Sequence, residues 1–401
     1  MPVGDRLAGL IRAALPGDDT VGVALSGGGD SVALLHACLL AGVQVEAVTV
    51  DHRLRAGSTA EAMAVAADCA ALGVTHQVLV WDHGPVAGNL MDQARRARMA
   101  LIGGWARRRG IGVVALGHTR DDQAETLLMG LARAAGIDGL AGMRRDWVND
   151  GVRFVRPLLD VGRAELRAFL RDRGVGWIDD PTNDDERFSR VKARRALAAL
   201  GPLGISGEGL AAVAGHLAQA REALDHQVRE AAQGVREAAG ALVLDRAGLA
   251  ALPVAVRRRL VVAGLMWVSG AVYPPRADAV ARLEVAILAG RDATLWGCRL
   301  KGPILLREAK AVGGPVGLGQ VWDGRWVLDG PDAPGAEVRA LGAVGLRLCP
   351  DWRGLGIKRE VLAVTPALWA GDNLLSAPVA GVENGWNARI AAPFHLFGLS
   401  H

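Results

Sequence analysis

The chain has 401 residues, enough for two or three domains, and 51% of them are hydrophobic, which supports sizeable cores and excludes global disorder. The net charge of +4 is compatible with a nucleic-acid partner but is too small to argue for one. Only Lys192, Lys301, Lys310 and Lys358 are lysines among 46 basic residues, so local arginine clusters carry more information than the total.

Residues 1–15 form a short amphipathic stretch interrupted by Asp5, Arg6 and Arg12, unlike a secretory signal. Apolar runs at 21–25, 43–50, 74–81 and 111–116 predict buried parallel strands, with helices between them near 31–40, 60–72 and 91–109 and another over 121–134. This alternation predicts an α/β fold with a doubly wound parallel sheet, whose ligands bind beyond the carboxyl ends of the strands. Ser26, Asp51 and His118 each follow a predicted strand and should converge on one crevice. From 187 to 289 the pattern is helical, as in 210–231 and 254–267. The apolar run 260–273 is too short to span a bilayer core of ~30 Å and predicts a buried helix. Beyond 294, short alternating stretches at 300–307 and 320–328, with a loop at 313–319, predict a small strand-rich domain. The expected division is 1–200, 201–293 and 294–401. The expected setting is soluble and cytoplasmic, without membrane contact, and a homodimer is compatible with the sequence. Cys38, Cys69, Cys298 and Cys349 are far apart and form no CxxC pair, so zinc-ribbon, iron–sulfur and paired-cysteine sulfur chemistry find no support.

Two segments carry chemistry. Ser26-Gly27-Gly28-Gly29-Asp30-Ser31 joins a predicted strand to a predicted helix. Its glycines and the first helical amides suit a phosphate group, the two serines add hydroxyls, and Asp30 makes sense beside phosphates if a divalent cation such as Mg²⁺ neutralises both. No lysine follows the glycines and position 32 is Val, so the loop is neither a Walker P-loop nor GxGxxG. The second segment runs from His118 through Thr119, Asp121, Asp122 and Glu125 to Thr126. A structural reading makes Thr119 a helix cap with Asp122 at the third helical position. A functional reading places His118 and the three acids at a helix mouth, and a zinc site would lack a clear third ligand. Farther on, Arg187, Arg190, Arg194 and Arg195 with Lys192 form a basic patch, with Arg187, Arg190 and Arg194 spaced for one helix face. That patch is either a solvated surface or a phosphate contact.

The first segment resembles the PP-loop, SGGxDS, of the N-type ATP pyrophosphatases, which implies adenylation with ATP. The second matches HxxDDxxET of the tRNA(Ile)-lysidine synthetases. Further blocks resemble that family. They are Val50-Asp51-His52-Arg53-Leu54-Arg55 with Ser58 and Glu61, and Gly88-Asn89-Leu90 with Ala94, Arg95 and Arg98. Residues 139–143, Arg156-Pro157-Leu158, and Asp180-Pro181-Thr182-Asn183-Asp184 leading into Phe188, Arg190 and Arg194 complete the set. Met99 stands where the family has tyrosine, and Val191 and Ala193 depart from its arginine helix. The resemblance covers about residues 20–200, and beyond 205 it is one of architecture. It implies ATP binding by 26–31 with Asp51 and His52, Mg²⁺ at Asp30, and catalysis by Asp30, His118, Asp121, Asp122 and Glu125. It further implies tRNA contacts from Arg95, Arg98, Arg187, Arg190 and Arg194. The implied substrates are L-lysine and tRNA(Ile) bearing a CAU anticodon. The alternatives are another PP-loop enzyme, such as a tRNA thiolase or an amide-forming synthetase, or a non-catalytic RNA-binding relative.

Overall fold

The computed structural model describes the chain except residues 1, 16, 18, 55–56, 85–89, 180–186, 188 and 398–401. Arg55, Gly88, Asn89, the acidic 180–184 segment and Phe188 therefore lie outside the described residues. The chain forms two compact units, 1–221 and 222–401.

The first unit runs α1 (Val3–Ala14), β1 (Val21–Ala24), α2 (Gly29–Leu40), β2 (Val45–Asp51), α3 (Ser58–Ala71), β3 (Thr75–Val80), α4 (Leu90–Arg109) and β4 (Val113–Leu116). It continues with α5 (Arg120–Leu131), α6 (Ile137–Leu140), β5 (Asp146–Asn149), β6 (Val152–Val155), α7 (Arg163–Asp172), α8 (Ser189–Leu200) and the start of α9 (Gly207–Gln233). The sheet order is β3-β2-β1-β4-β6-β5, parallel except for the antiparallel edge strand β5. Alternate strand residues feed opposite cores, as period-two geometry requires. Val21, Val23, Ala47 and Ala115 pack with Leu7, Leu34, Val65 and Leu166 from α1, α2, α3 and α7. Val48 and Val114 pack with Ile102 and Trp105 of α4 on the other face. Helices thus cover both faces, as a doubly wound sheet demands. After β1 the chain builds β2 and β3 on one side, then crosses to β4 on the other, so the topological switch lies between β1 and β4.

The second unit contains β7 (Arg236–Ala238), β8 (Ala241–Val243), α10 (Arg246–Ala251), α11 (Val254–Ser269), α12 (Ala277–Leu288), β9 (Ala293–Leu295), β10 (Cys298–Lys301) and β11 (Ile304–Arg307). Its sheet β7-β8-β11-β10-β9 takes strands from both sides of residue 293. Beyond it, β12 (Val316–Gly317), β13 (Trp326–Asp329), β14 (Glu337–Ala340), α13 (Gly342–Arg347), α14 (Arg359–Leu362), β15 (Pro366–Ala370), β16 (Asn373–Ser376) and β17 (Asn387–Ile390) make a four-stranded and a two-stranded sheet. The run 260–273 is not one buried helix. Gly270, left-handed at φ +67, stops α11 at Ser269, and Val272 and Tyr273 are exposed.

Among the described residues no single helix is long and apolar enough to cross a membrane. One sharply bent pair, Ser189–Leu203 with Gly207–Gln233, meets the criterion by length and composition.

Candidate active site

The glycine-rich loop leaves β1 and enters α2 at the switch point. Gly27 adopts φ +82, and a Cβ there would stand 2.8 Å from both Val65 and Ile178, so the turn requires glycine twice over. The Ile178 N–H donates to the Gly27 carbonyl at 2.9 Å, and the Trp177 ring lies against Gly29. Ser31 braces the loop from inside. Its hydroxyl donates to the Gly28 carbonyl at 2.9 Å and accepts from the Ser26 N–H at 3.1 Å. The Ser26 hydroxyl lies 3.1 Å from it on an exposed residue. Gly28 caps α2 without any side-chain hydrogen bond, so the first-turn amides have no such acceptor, which fits an anion at this helix start.

The end of β4 is pressed onto the same loop. A Cβ at Gly117 would approach the Asp30 carbonyl oxygen and Ser31 Cα at 2.9 Å each, so only glycine lets His118 sit this close to Asp30. Thr119 then caps α5 in a full capping box: its backbone N–H and hydroxyl donate to Asp122 Oδ2 at 2.8 and 2.9 Å. The structural reading of this segment is therefore present, and the acids have additional partners as well. Asp122 Oδ1 faces Arg163 Nη2 at 3.2 Å and Arg190 Nη1 at 3.9 Å. Burial pushes the Asp122 pKa up, but Arg163, Arg190 and the Thr119 amide outweigh it and hold the carboxyl below its ordinary value.

Arg163, the first residue of α7, organises the acids. Its Nε donates to Asp30 at 3.0 Å, Nη1 to Glu125 at 3.2 Å and Nη2 to Asp122 at 3.2 Å, while its backbone N–H donates to Asp121 at 2.7 Å. Burial works against the guanidinium charge. Asp122, Asp30 and Glu125 more than restore it, leaving the pKa above the ordinary arginine value. Burial also raises the pKa of Asp30 despite Arg163. Glu125 is 1% exposed and accepts from Arg163 and from Arg194 Nε at 3.0 Å through Oε1, whereas Oε2 is buried without a hydrogen-bond partner among the described residues. Sequence reasoning missed Arg163, because a lone arginine at a helix start carries no motif spacing.

A cationic cluster adjoins the acids. Burial, Arg95 and Arg190 lower the Arg98 pKa to about 10, and burial with Arg95, Arg98 and Arg190 lowers that of Arg156 to about 9. Burial and the charge of Arg190 lower the Arg95 pKa as well. Arg98 Nε and His52 Nδ1 are buried and unpartnered among the described residues. Burial and Arg98 lower the His52 pKa, and its ring packs edge-on against Trp81. Asp51 is committed locally: Oδ1 accepts from the Arg53 N–H and the Ser58 hydroxyl, and Oδ2 from the Thr59 hydroxyl, at 2.7–3.0 Å. It thus braces the β2–α3 turn beside His52. Helix α8 opens at Ser189, a residue type that favours helix starts, so Arg190 and Arg194 are helical and Arg187 precedes them in a turn rather than sharing their helix face.

All four cysteines are buried and unpaired. Burial pushes the Cys38, Cys69 and Cys298 thiols up to about 12, 11 and 12, which makes them poor thiolates. Among the described residues no three His, Cys, Asp or Glu side chains gather to hold a metal.

A family model described as a PP-loop domain matches residues 5–200. The tRNA(Ile)-lysidine synthase of Ruegeria pomeroyi is 47% identical over 394 residues, covering 95% of this chain and 94% of the relative. This chain belongs to the tRNA(Ile)-lysidine synthase family. The likeness extends well past the motif-bearing 20–200 region. The tRNA(Ile)-lysidine synthase of Mesorhizobium japonicum is 38% identical over 391 residues, with 88% of this chain and 83% of the relative covered. A U34-tRNA thiolase from Methanococcus maripaludis covers 54% of this chain and 79% of its own at 15% identity and TM-score 0.47, too remote to bear on the reaction. Membership in the tRNA(Ile)-lysidine synthase family makes the chain an ATP-using, tRNA-modifying ligase of the PP-loop type.

Proposed function

We propose that the crevice beyond β1 and β4 makes lysidine in the cytoplasm, joining L-lysine to C2 of the wobble cytidine in the CAU anticodon of tRNA(Ile). The observation that carries this reading is the single guanidinium of Arg163, which joins Asp30 of the phosphate loop to Asp122 and Glu125 of the second motif. In this reading the nucleotide and amine chemistries meet in one place.

In this reading the 26–31 loop holds the ATP phosphates on the uncapped start of α2, with Asp51 and His52 on the neighbouring turn. The cytidine O2 attacks the α-phosphorus, pyrophosphate leaves, and C2 gains an adenylated oxygen. The lysine ε-amine then attacks C2, loses a proton, and AMP departs with that oxygen. Asp122, held ionised, and Glu125, with a buried free oxygen, attract the lysine ammonium and accept its proton. Asp121 fixes the start of α7 and so the reach of Arg163. Mg²⁺ would sit with the phosphates beside the Asp30 carboxylate, where it would offset phosphate charge; among the described residues no three acids or histidines gather into a metal site of their own. Arg95, Arg98, Arg187, Arg190 and Arg194 supply cationic groups for tRNA phosphates, and residues 201–293 and 294–401 make tRNA contacts of their own.

The test is order of dependence. With Mg-ATP and tRNA(Ile) but no lysine, the protein should accumulate adenylated tRNA and pyrophosphate, and lysine should then release AMP. AMP release from lysine and ATP without tRNA would contradict the reading.

A further inference from the structure

We infer that Arg156 is a positioning residue that fixes His118 as a neutral ring with its proton on Nε2, so that His118 serves as a hydrogen-bond donor and not as a base. The inference rests on the lysidine reading only for the reaction in which His118 takes part.

Arg156 Nε donates to His118 Nδ1 at 3.1 Å. An arginine side chain has donors and no acceptor, so Nδ1 must carry a lone pair wherever this contact exists. A neutral imidazole with a bare Nδ1 holds its proton on Nε2. This choice is built into the fold, because Arg156 is itself immobilised. It is 5% exposed, its Nη1 donates to the Arg144 carbonyl, and its guanidinium lies 4.1 Å over the Trp147 ring, which stacks on Phe154. Trp147 and Phe154 face each other across the β5–β6 pair. The antiparallel edge of the sheet thus serves as the platform that aims Arg156 at the end of β4.

Protonating Nδ1 would set an imidazolium against Arg156 in a burial site that already holds Arg98 and Arg190 nearby. Burial first, and Arg156 next, outweigh the opposing pull of the Asp122 carboxylate and, with Arg98 and Arg190, depress the His118 pKa to about 3. Across the physiological range His118 is then a fixed N–H dipole. Gly117 brings the end of β4 against the backbone of Asp30 and Ser31, beside the loop that would hold phosphate. Proton removal from the amine falls to the carboxylates.

The experiment is ¹⁵N NMR of the full chain labelled at its nine histidines, with His118 assigned by difference against H118Q. The wild type should show His118 as one tautomer, Nε2 protonated and Nδ1 bare, persisting well below pH 6. In R156M the ring should become a mixture of tautomers and titrate at a higher pH. R156K, which keeps a donor without the aromatic platform, should recover part of the Nε2–H population and part of the lysidine activity that R156M loses. A wild-type ring protonated on Nδ1, or an unchanged His118 signal in folded R156M, would overturn the inference. Should R156M not fold, the wild-type tautomer and R156K still decide it. The tautomer measurement needs no substrate, so its failure is distinct from failure of the lysidine reading.

Discussion

Arg163 and Asp122 meet Nη2 to Oδ1 at 3.2 Å while Asp122 turns Oδ2 back to cap α5. One carboxylate therefore closes a helix with one oxygen and faces the reaction crevice with the other. Asp122→Asn retains a capping oxygen but sets an amide against Arg163. We expect lysidine formation to fall by ~10³-fold with the fold intact, a loss in the range for a removed acid–base group. Arg163→Met strips the shared counter-ion from three acids, and about 3 kcal/mol of stability should go with it. Denaturant titration and a lysine-transfer assay read both. Near-normal transfer by Asp122→Asn would refute its assignment.

Gly117→Ala tests the convergence of the two motifs. The added methyl would meet the backbone at Asp30 and Ser31 at 2.9 Å, and overpacking of this kind costs about 1–3 kcal/mol. Displacing His118 and α5 from the loop should lower kcat by ~10²-fold. Gly112→Ala, whose methyl would meet nothing within 4 Å, is the control and should leave both quantities unchanged.

How much of this was legible from sequence differs from residue to residue. The 26–31 loop and the 118–126 segment were readable because their chemistry depends on tight local spacing. The capping box at Thr119 and Asp122 was readable for the same reason, and the two readings of that segment coexist because a carboxylate has two oxygens. Arg163 was not readable, since its meaning arises only when the chain after β6 brings the first residue of α7 against the acids of α5. The β7–β8 hairpin was also missed. Three-residue strands carry too little alternation to stand out inside a helical region. The Leu260 run misled because hydropathy does not register the left-handed Gly270 that ends its helix.

Acid stability should carry the signature of His118. An unfolded histidine binds its proton near pH ~6.5, whereas the folded ring stays neutral down to about 3. The unfolded state therefore takes up more protons between those values, and stability falls as pH drops through that window. His118→Gln should flatten this part of the curve, measured as denaturation midpoint against pH. An unaltered slope would mean that the folded ring titrates normally.

Tight tRNA binding should depend on salt through the arginine cluster. Arg95→Ala and Arg190→Ala should each weaken binding of any tRNA and reduce the slope of log K against log salt by about 1. Equal slopes for wild type and variants would remove these residues from the phosphate contact.

Transfer of labelled L-lysine by the purified protein with Mg-ATP, to tRNA(Ile) bearing CAU and to the CAU-bearing tRNA(Met), tests the reaction and its specificity together. Label should appear on tRNA(Ile) alone, with AMP and pyrophosphate released in equal amounts. Label on neither tRNA, from protein that still binds ATP, would contradict the lysidine reading.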